Sequence, residues 1–338
     1  MALTDVWFVL IAVLWAGYLV LDGFDLGVGM LLPIARDDGE RRVMVNTIGP
    51  VWDGNEVWPL VAGGATFAAF PLWYAGMFSG FYLALLILLV ALIVRGVSFE
   101  YRGKIDDPRW RRRWDWAITF SSAVPALLLG VALANVVHGV PLNAHGDYTG
   151  NLFTLLNPYA LLGGVMTLTV LAFHGGLFVA LKTDGEIRAR ARSAAVVLGV
   201  LATVAGGAFL LWTQLAYGSG WTWVPLLVAA GALVVAMVAN RMGREGVAFT
   251  ATTVAIIGAV TTMFGALYPD VLPSTTSAAF SLTTTNASSS HYTLTIMTWV
   301  AVVFTPLVLL YQGWTYWVFR RRLSVEVMPP YEGLPSAR

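Results

Sequence analysis

The chain has 338 residues, of which 58% are hydrophobic and only 12% charged, with a formal net charge of +1. Soluble domains carry roughly a quarter charged residues. This composition, with a mean hydropathy of +0.73, therefore excludes an ordinary soluble enzyme and points to a chain that crosses a membrane several times. No cysteine is present, which removes disulfides, thiolate metal sites, c-type haem attachment and cysteine nucleophiles.

Apolar runs of about 20 residues, enough to cross about 30 Å of hydrocarbon, are expected nine times: at 6–32, 47–70, 74–95, 115–137, 158–181, 194–216, 222–240, 248–268 and 293–319. The start lacks the basic region and small-residue cleavage site of a signal peptide, so Met1 is expected to be the true start and the first helix to be retained. The second run is the most polar, because it holds GPVWDGNEVWP, and FPLWY makes a tight turn into the third. The longest outer loop, PSTTSAAFSLTTTNASSS, is of low complexity and contains the sequon-like Asn286-Ala-Ser288.

The basic residues test this layout. All 20 Lys and Arg lie at 36–42, 95–113, 182–192, 241–244 and 320–338, after runs one, three, five, seven and nine. The positive-inside rule puts those segments in the cytoplasm, with the N-terminus outside and the C-terminus inside. The inner loop SFEYRGKIDDPRWRRRWDW mixes Arg with Trp. It reads as anchoring plus an interfacial aromatic belt, and no nucleic-acid partner is expected.

Four acids fall within the runs: Asp22, Asp25, Asp53 and Glu56. Arg95 and Asp115 lie at the inner ends of runs three and four. An ionised Asp at mid-helix costs roughly 2.5–3.5 kcal/mol on insertion scales, so these groups must face protein or water. Asp22 and Asp25 are three residues apart, as are Asp53 and Glu56, and each pair shares a helix face. Gly23, Gly27 and Gly29 around the first pair permit close helix approach. With a rise of 1.5 Å per residue, Asp25 stands roughly 10–13 Å from the inner end of run one and Asp53 roughly 9 Å into run two. The six groups are expected to converge on the inner third of the first four helices. Two compatible readings follow: a network that fixes the bundle, and a proton pathway from the cytoplasm.

Of the four histidines only His174, in AFHGG, lies deep in a run. A bis-histidine haem needs two such ligands, so this chain is expected to carry neither haem nor another metal. There is no Walker loop, no HExxH and no GxSxG elbow. Intramembrane acids would also suit a stand-alone proton- or ion-coupled transporter, which works alone.

GFDLGVG, GPVWDGNEVW and RGVSFEYRGK occur in that order in runs one to three. They resemble subunit II of the cytochrome bd quinol oxidases, and the likeness continues through WRRRWDW, GNLFTLLNPYALLGGV and TLTIMTWVAVVFTPLVLLY. It implies an all-α integral membrane fold of nine transmembrane helices: a four-helix bundle over 1–137, a second over 138–268, an outer loop and peripheral helix over 269–319, and a cytoplasmic tail over 320–338. It implies a bacterial inner-membrane complex that oxidises quinol and reduces dioxygen to water. The partner, subunit I, would hold two b-type haems and one d-type haem, and small accessory subunits are compatible with the family.

Subunit II would hold no haem, and would lend a proton path. Asp53 matches the family's proton-path aspartate, and Asp25, Arg95 and Asp115 match its other polar positions, with Glu56 in support. A structural menaquinone or ubiquinone near the first two helices would have Trp52 and Trp58 as neighbours. Two departures stand out. Pro59 replaces a commoner aliphatic residue and should kink the second helix. The outer loop at 217–221 is short.

Overall fold

The computed structural model describes residues 2–327 and 334–335. Twelve α-helices account for most of it. They are α1 Leu3–Met30, α2 Asp38–Ile48, α3 Trp52–Glu56, α4 Trp58–Ala69, α5 Pro71–Gly80, α6 Tyr82–Tyr101, α7 Pro108–His138, α8 Pro158–Lys182, α9 Gly185–Ala216, α10 Trp223–Arg241, α11 Glu245–Leu267 and α12 His291–Val318. Extended structure is confined to short pairings, such as Asp270–Leu272 antiparallel to Leu282–Thr283 in the loop before α12.

Local chemistry sets the helix starts. The Asp37 carboxylate accepts from the Glu40 amide to cap α2, Asn157 accepts from Ala160 to cap α8, and Ser290 accepts from Thr293 to cap α12. Each satisfies an amide that the first helical turn leaves without a partner. Pro108 and Pro158 occupy first-turn positions that need no amide hydrogen.

Among the described residues, eight helices are long and apolar enough to cross a membrane: α1 and α6 to α12. Seven of these match expected runs to within a few residues, apart from longer starts on α7 and α9. The expected second run is different. It is two consecutive helices, α3 and α4, that meet at Val57 just before Pro59. Proline has no amide hydrogen and its ring clashes with the preceding turn, so the expected kink is a break between helices. The third run begins further along than expected, as α5 followed by α6, joined at Phe81. The tail at 320–338 is described to residue 327 and at 334–335, and its remainder lies outside the described residues.

Helix α1 is the centre of the packing, with α4, α7, α8, α11 and α12 against it. Residues 22–29 of α1 are all buried. The closest approach is between α1 and α8: a Cβ on Gly27 would lie 2.1 Å from the Leu171 carbonyl oxygen, and one on Gly175 would lie 2.4 Å from the Gly27 Cα. Backbones meet here without side chains between them, as small residues allow in membranes. Thr167 on α8 donates to the Ala126 carbonyl of α7 at 2.7 Å and ties the third member in. By contrast, α6 and α12 are largely exposed: only 17% and 6% of their apolar windows are buried.

The glycine contact yields a direct test. Gly27→Val forces backbone against backbone, and should destabilise by more than the roughly 1–3 kcal/mol typical of an overpacked core. Thermal unfolding of the purified protein in detergent should drop sharply. Gly64→Ala, whose Cβ meets nothing within 4 Å, should leave the melting temperature unchanged.

Candidate functional site

Asp22 and Arg95 form a two-pronged ion pair inside the apolar bundle. Arg95 Nη2 donates to Asp22 Oδ1 at 2.6 Å and Nη1 to Oδ2 at 3.0 Å, and both residues are fully buried. The pair joins α1 to α6, which otherwise lies along α7. The guanidinium also lies 5.6 Å from the Phe99 ring centroid, so one face of the cation is covered by an aromatic ring. Parallel donation from a planar fork to a carboxylate is the strongest ion-pair geometry available. It neutralises both charges where water cannot.

Asp25 lies one turn further along α1 and is also fully buried. No cation is bonded to it. Asn55 Nδ2 donates to its Oδ2 at 2.7 Å, while Oδ1 has no hydrogen-bond partner. The Asn55 carbonyl in turn accepts from the Tyr316 hydroxyl at 2.8 Å and from Gln312 Nε2 at 3.1 Å. Trp58 Nε1 donates to Gln312 Oε1 at 3.1 Å. Donor direction is consistent throughout, running from Trp58 and Tyr316 through Asn55 to Asp25. Helix α12, expected as a peripheral element, thus supplies two polar side chains to the site. The sequence signal for them was the i, i+4 pair Gln312 and Tyr316 in YQGWTYW, where an amide stands within an apolar span.

The remaining expected residues divide between surface and core. Asp53 is exposed on α3, and its Oδ1 accepts from the Gly54 amide at 2.7 Å. Glu56 is half-buried beside it, with no ion pair among the described residues, and lies within electrostatic reach of Asp22 and Arg95. Asp115 is not part of the Arg95 site. It accepts from Arg102 Nε at 2.6 Å and lies 3.9 Å from Arg41. Arg102 also reaches Asp38 at 2.6 Å, and Arg111 pairs with Asp38 and Asp106. This second cluster clamps the end of α1–α2 to the α6–α7 turn.

Trp52 and Trp58 pack against different helices. Trp52 packs on α6, against Gly96 and with its ring 5.1 Å from that of Phe99. Trp58 presses on Gly17 of α1, where a Cβ would lie 2.3 Å from the indole.

His174 is fully buried, and both ring nitrogens are engaged. Nε2 lies 3.1 Å from the Val20 carbonyl and Nδ1 lies 2.6 Å from the Thr252 hydroxyl. The carbonyl can only accept, so Nε2 carries a proton. The ring stacks on Phe249 at 4.4 Å. These contacts make His174 a tie between α1, α8 and α11. Among the described residues no three His, Asp or Glu side chains converge as a metal site.

Residues 3–319 match the family model described as cytochrome bd terminal oxidase subunit II. The chain is 39% identical over 362 residues to cytochrome bd-I ubiquinol oxidase subunit 2 of Escherichia coli K12, covering 95% of each chain. It is 41% identical over 332 residues to cytochrome bd ubiquinol oxidase subunit 2 of Bacillus subtilis, covering 96% of this chain and 97% of that one. Its fold is similar to a chain of the bd oxidase structure from Geobacillus thermodenitrificans, with a TM-score of 0.78 over 94% of this chain and 99% of that one at 17% identity.

The buried pair makes a stringent prediction. Asp22→Asn or Arg95→Gln alone leaves one charge uncompensated, which costs about 3–5 kcal/mol. Each single variant should fold in low yield. The double variant Asp22→Asn/Arg95→Gln should recover much of that yield, as measured by size-exclusion recovery from solubilised membranes.

Proposed function

The chain belongs to the cytochrome bd terminal oxidase subunit II family, and from that membership we propose that it lends a proton path to a haem-bearing subunit I packed beside it. It is a component of a terminal quinol oxidase in respiratory electron transport, and a multi-pass protein of the bacterial membrane. In this reading subunit I holds two b-type haems and one d-type haem, where quinol is oxidised and dioxygen reduced to water. Reduction of dioxygen consumes protons, and this chain would deliver them from its arginine-rich side, the cytoplasm by the positive-inside rule.

One observation carries the proton-path reading: Asp25 is a fully buried carboxyl with no cation bonded to it, one turn from an acid that Arg95 grips with two hydrogen bonds. Arg95 fixes Asp22 as a carboxylate partner, and a guanidinium does not give up its proton in proteins. Asp25 has only an amide donor and one oxygen without a partner, so no ion pair fixes its proton occupancy. Asp53 lies exposed on neighbouring α3, with half-buried Glu56 beside it. Asp53 serves as the relay at the surface that subunit I covers, and Asp25 and Glu56 feed it. Asp22, Arg95 and Asp115 frame the route.

The nine-pass arrangement in two four-helix bundles plus α12 belongs to the same proposal. Asp38 and Arg102 are ion-paired, so the chain reaches one face after α1 and returns to it after α6. The Ala69 carbonyl at the end of α4 accepts from the Ser289 amide, in the loop that leads into α12. Both observations support α3 and α4 together as a crossing.

Asp53→Asn and Asp25→Asn should each lower oxygen consumption by roughly tenfold or more, the scale of a lost proton-transfer group, while the haem spectrum of the purified complex stays unchanged. Full turnover in both variants would remove the proton path from the account.

A further inference from the structure

A cavity of about 830 Å³ lies beside α12 and shares Tyr316 with the Asp25 site. Its wall is aromatic. Phe24 stacks on Phe178 with centroids 4.0 Å apart, Phe249 stands 5.8 Å from Phe24, and Tyr316 closes the α12 side. The lining includes no acid. Its rim is the turn after α12, held to the end of α8: the Leu323 amide donates to the Lys182 carbonyl at 2.8 Å, and the Lys182 ammonium donates to the carbonyls of Phe319 and Arg321.

Four cations line that rim: Lys182, Arg320, Arg321 and Arg322. Arg322 is neutralised by Asp184 at 3.0 Å and Glu245 at 3.7 Å. Among the described residues, Lys182, Arg320 and Arg321 have no carboxylate partner. Three uncompensated cations thus border an apolar cleft at one end of a membrane-spanning bundle.

We propose that this cleft binds an anionic phospholipid, with its phosphate at Lys182, Arg320 and Arg321 and an acyl chain against Phe24, Phe178 and Phe249. Basic pockets between membrane helices recognise such headgroups. A free phosphate would leave the aromatic wall empty. A neutral quinone would use the aromatic wall but give the three rim cations no anionic partner. The bound lipid would also fasten α12, which has little buried surface of its own. The proposal rests on the chain lying in a bilayer and not on the proton path.

The test is native mass spectrometry of the delipidated two-subunit complex, with dioleoyl phosphatidylglycerol or dioleoyl phosphatidylcholine added back. The wild type should retain phosphatidylglycerol under activation that strips phosphatidylcholine. Arg320→Gln/Arg321→Gln should lose that preference by roughly tenfold or more, since each cation near a membrane anion contributes appreciably. Thr253→Trp fills the cleft from α11 and leaves the rim intact, and it should abolish retention too. Should the double variant not assemble, Thr253→Trp decides alone. Equal retention of both lipids by the wild type, unchanged retention in Thr253→Trp, or a quinone retained in place of lipid would each overturn the proposal.

Discussion

The ion pair between Asp22 and Arg95 is the constraint on which the inner half of the structure depends. Two charges are held where no water reaches them, and only their mutual, two-pronged contact makes this tolerable. The pair fixes α6 to α1 at one depth and one rotation. Once Arg95 is committed to Asp22, Asp25 one turn away has no cation of its own. The contrast between two acids three residues apart on one helix follows from a single guanidinium that can serve only one of them fully.

Helix α1 can present both acids because its other face needs no side chains. Gly27 against Gly175 lets α8 approach to backbone contact, and this leaves the polar face free to meet α3, α6 and α12. Asn55 completes the design, since an amide both donates and accepts. It passes the hydrogen-bond direction of Tyr316 and Gln312 on α12 to the carboxyl on α1. Such a network is favourable only when its members are satisfied, and here Oδ1 of Asp25 is left without a partner, as is Nε of Arg95 in the ion pair beside it. That buried, unpaired carboxyl oxygen is where the proposed proton path has its chemistry.

Much of this could be read in the sequence, and the limits have physical causes. The placement of Lys and Arg predicts an alternation of loops, because translocation is charge-selective. The i, i+3 spacing put Asp22 with Asp25 and Asp53 with Glu56 on shared faces. Spacing does not choose partners: Arg95 had five acids to pair with, and one of them, Asp115, went instead to Arg102, thirteen residues earlier. The break at Val57 was foreshadowed by Pro59, but hydropathy averages over such a defect and reads α3 and α4 as one run. Gln312 and Tyr316 reach Asn55 across more than 250 residues, a contact that no local pattern encodes. Trp52 and Trp58, six apart, point to different neighbours because the helix ends between them.

The measurement that bears most directly on the central claim is the infrared difference spectrum between reduced and oxidised complex in the carboxyl region, for wild type, Asp25→Asn and Asp22→Asn. If Asp25 exchanges protons during turnover, a carboxyl signal present in the wild type disappears in Asp25→Asn. Asp22→Asn frees Arg95 to pair with Asp25 instead, so any folded Asp22→Asn complex should lose that signal too. A spectrum unchanged by Asp25→Asn would contradict the account and leave that carboxyl a structural group only.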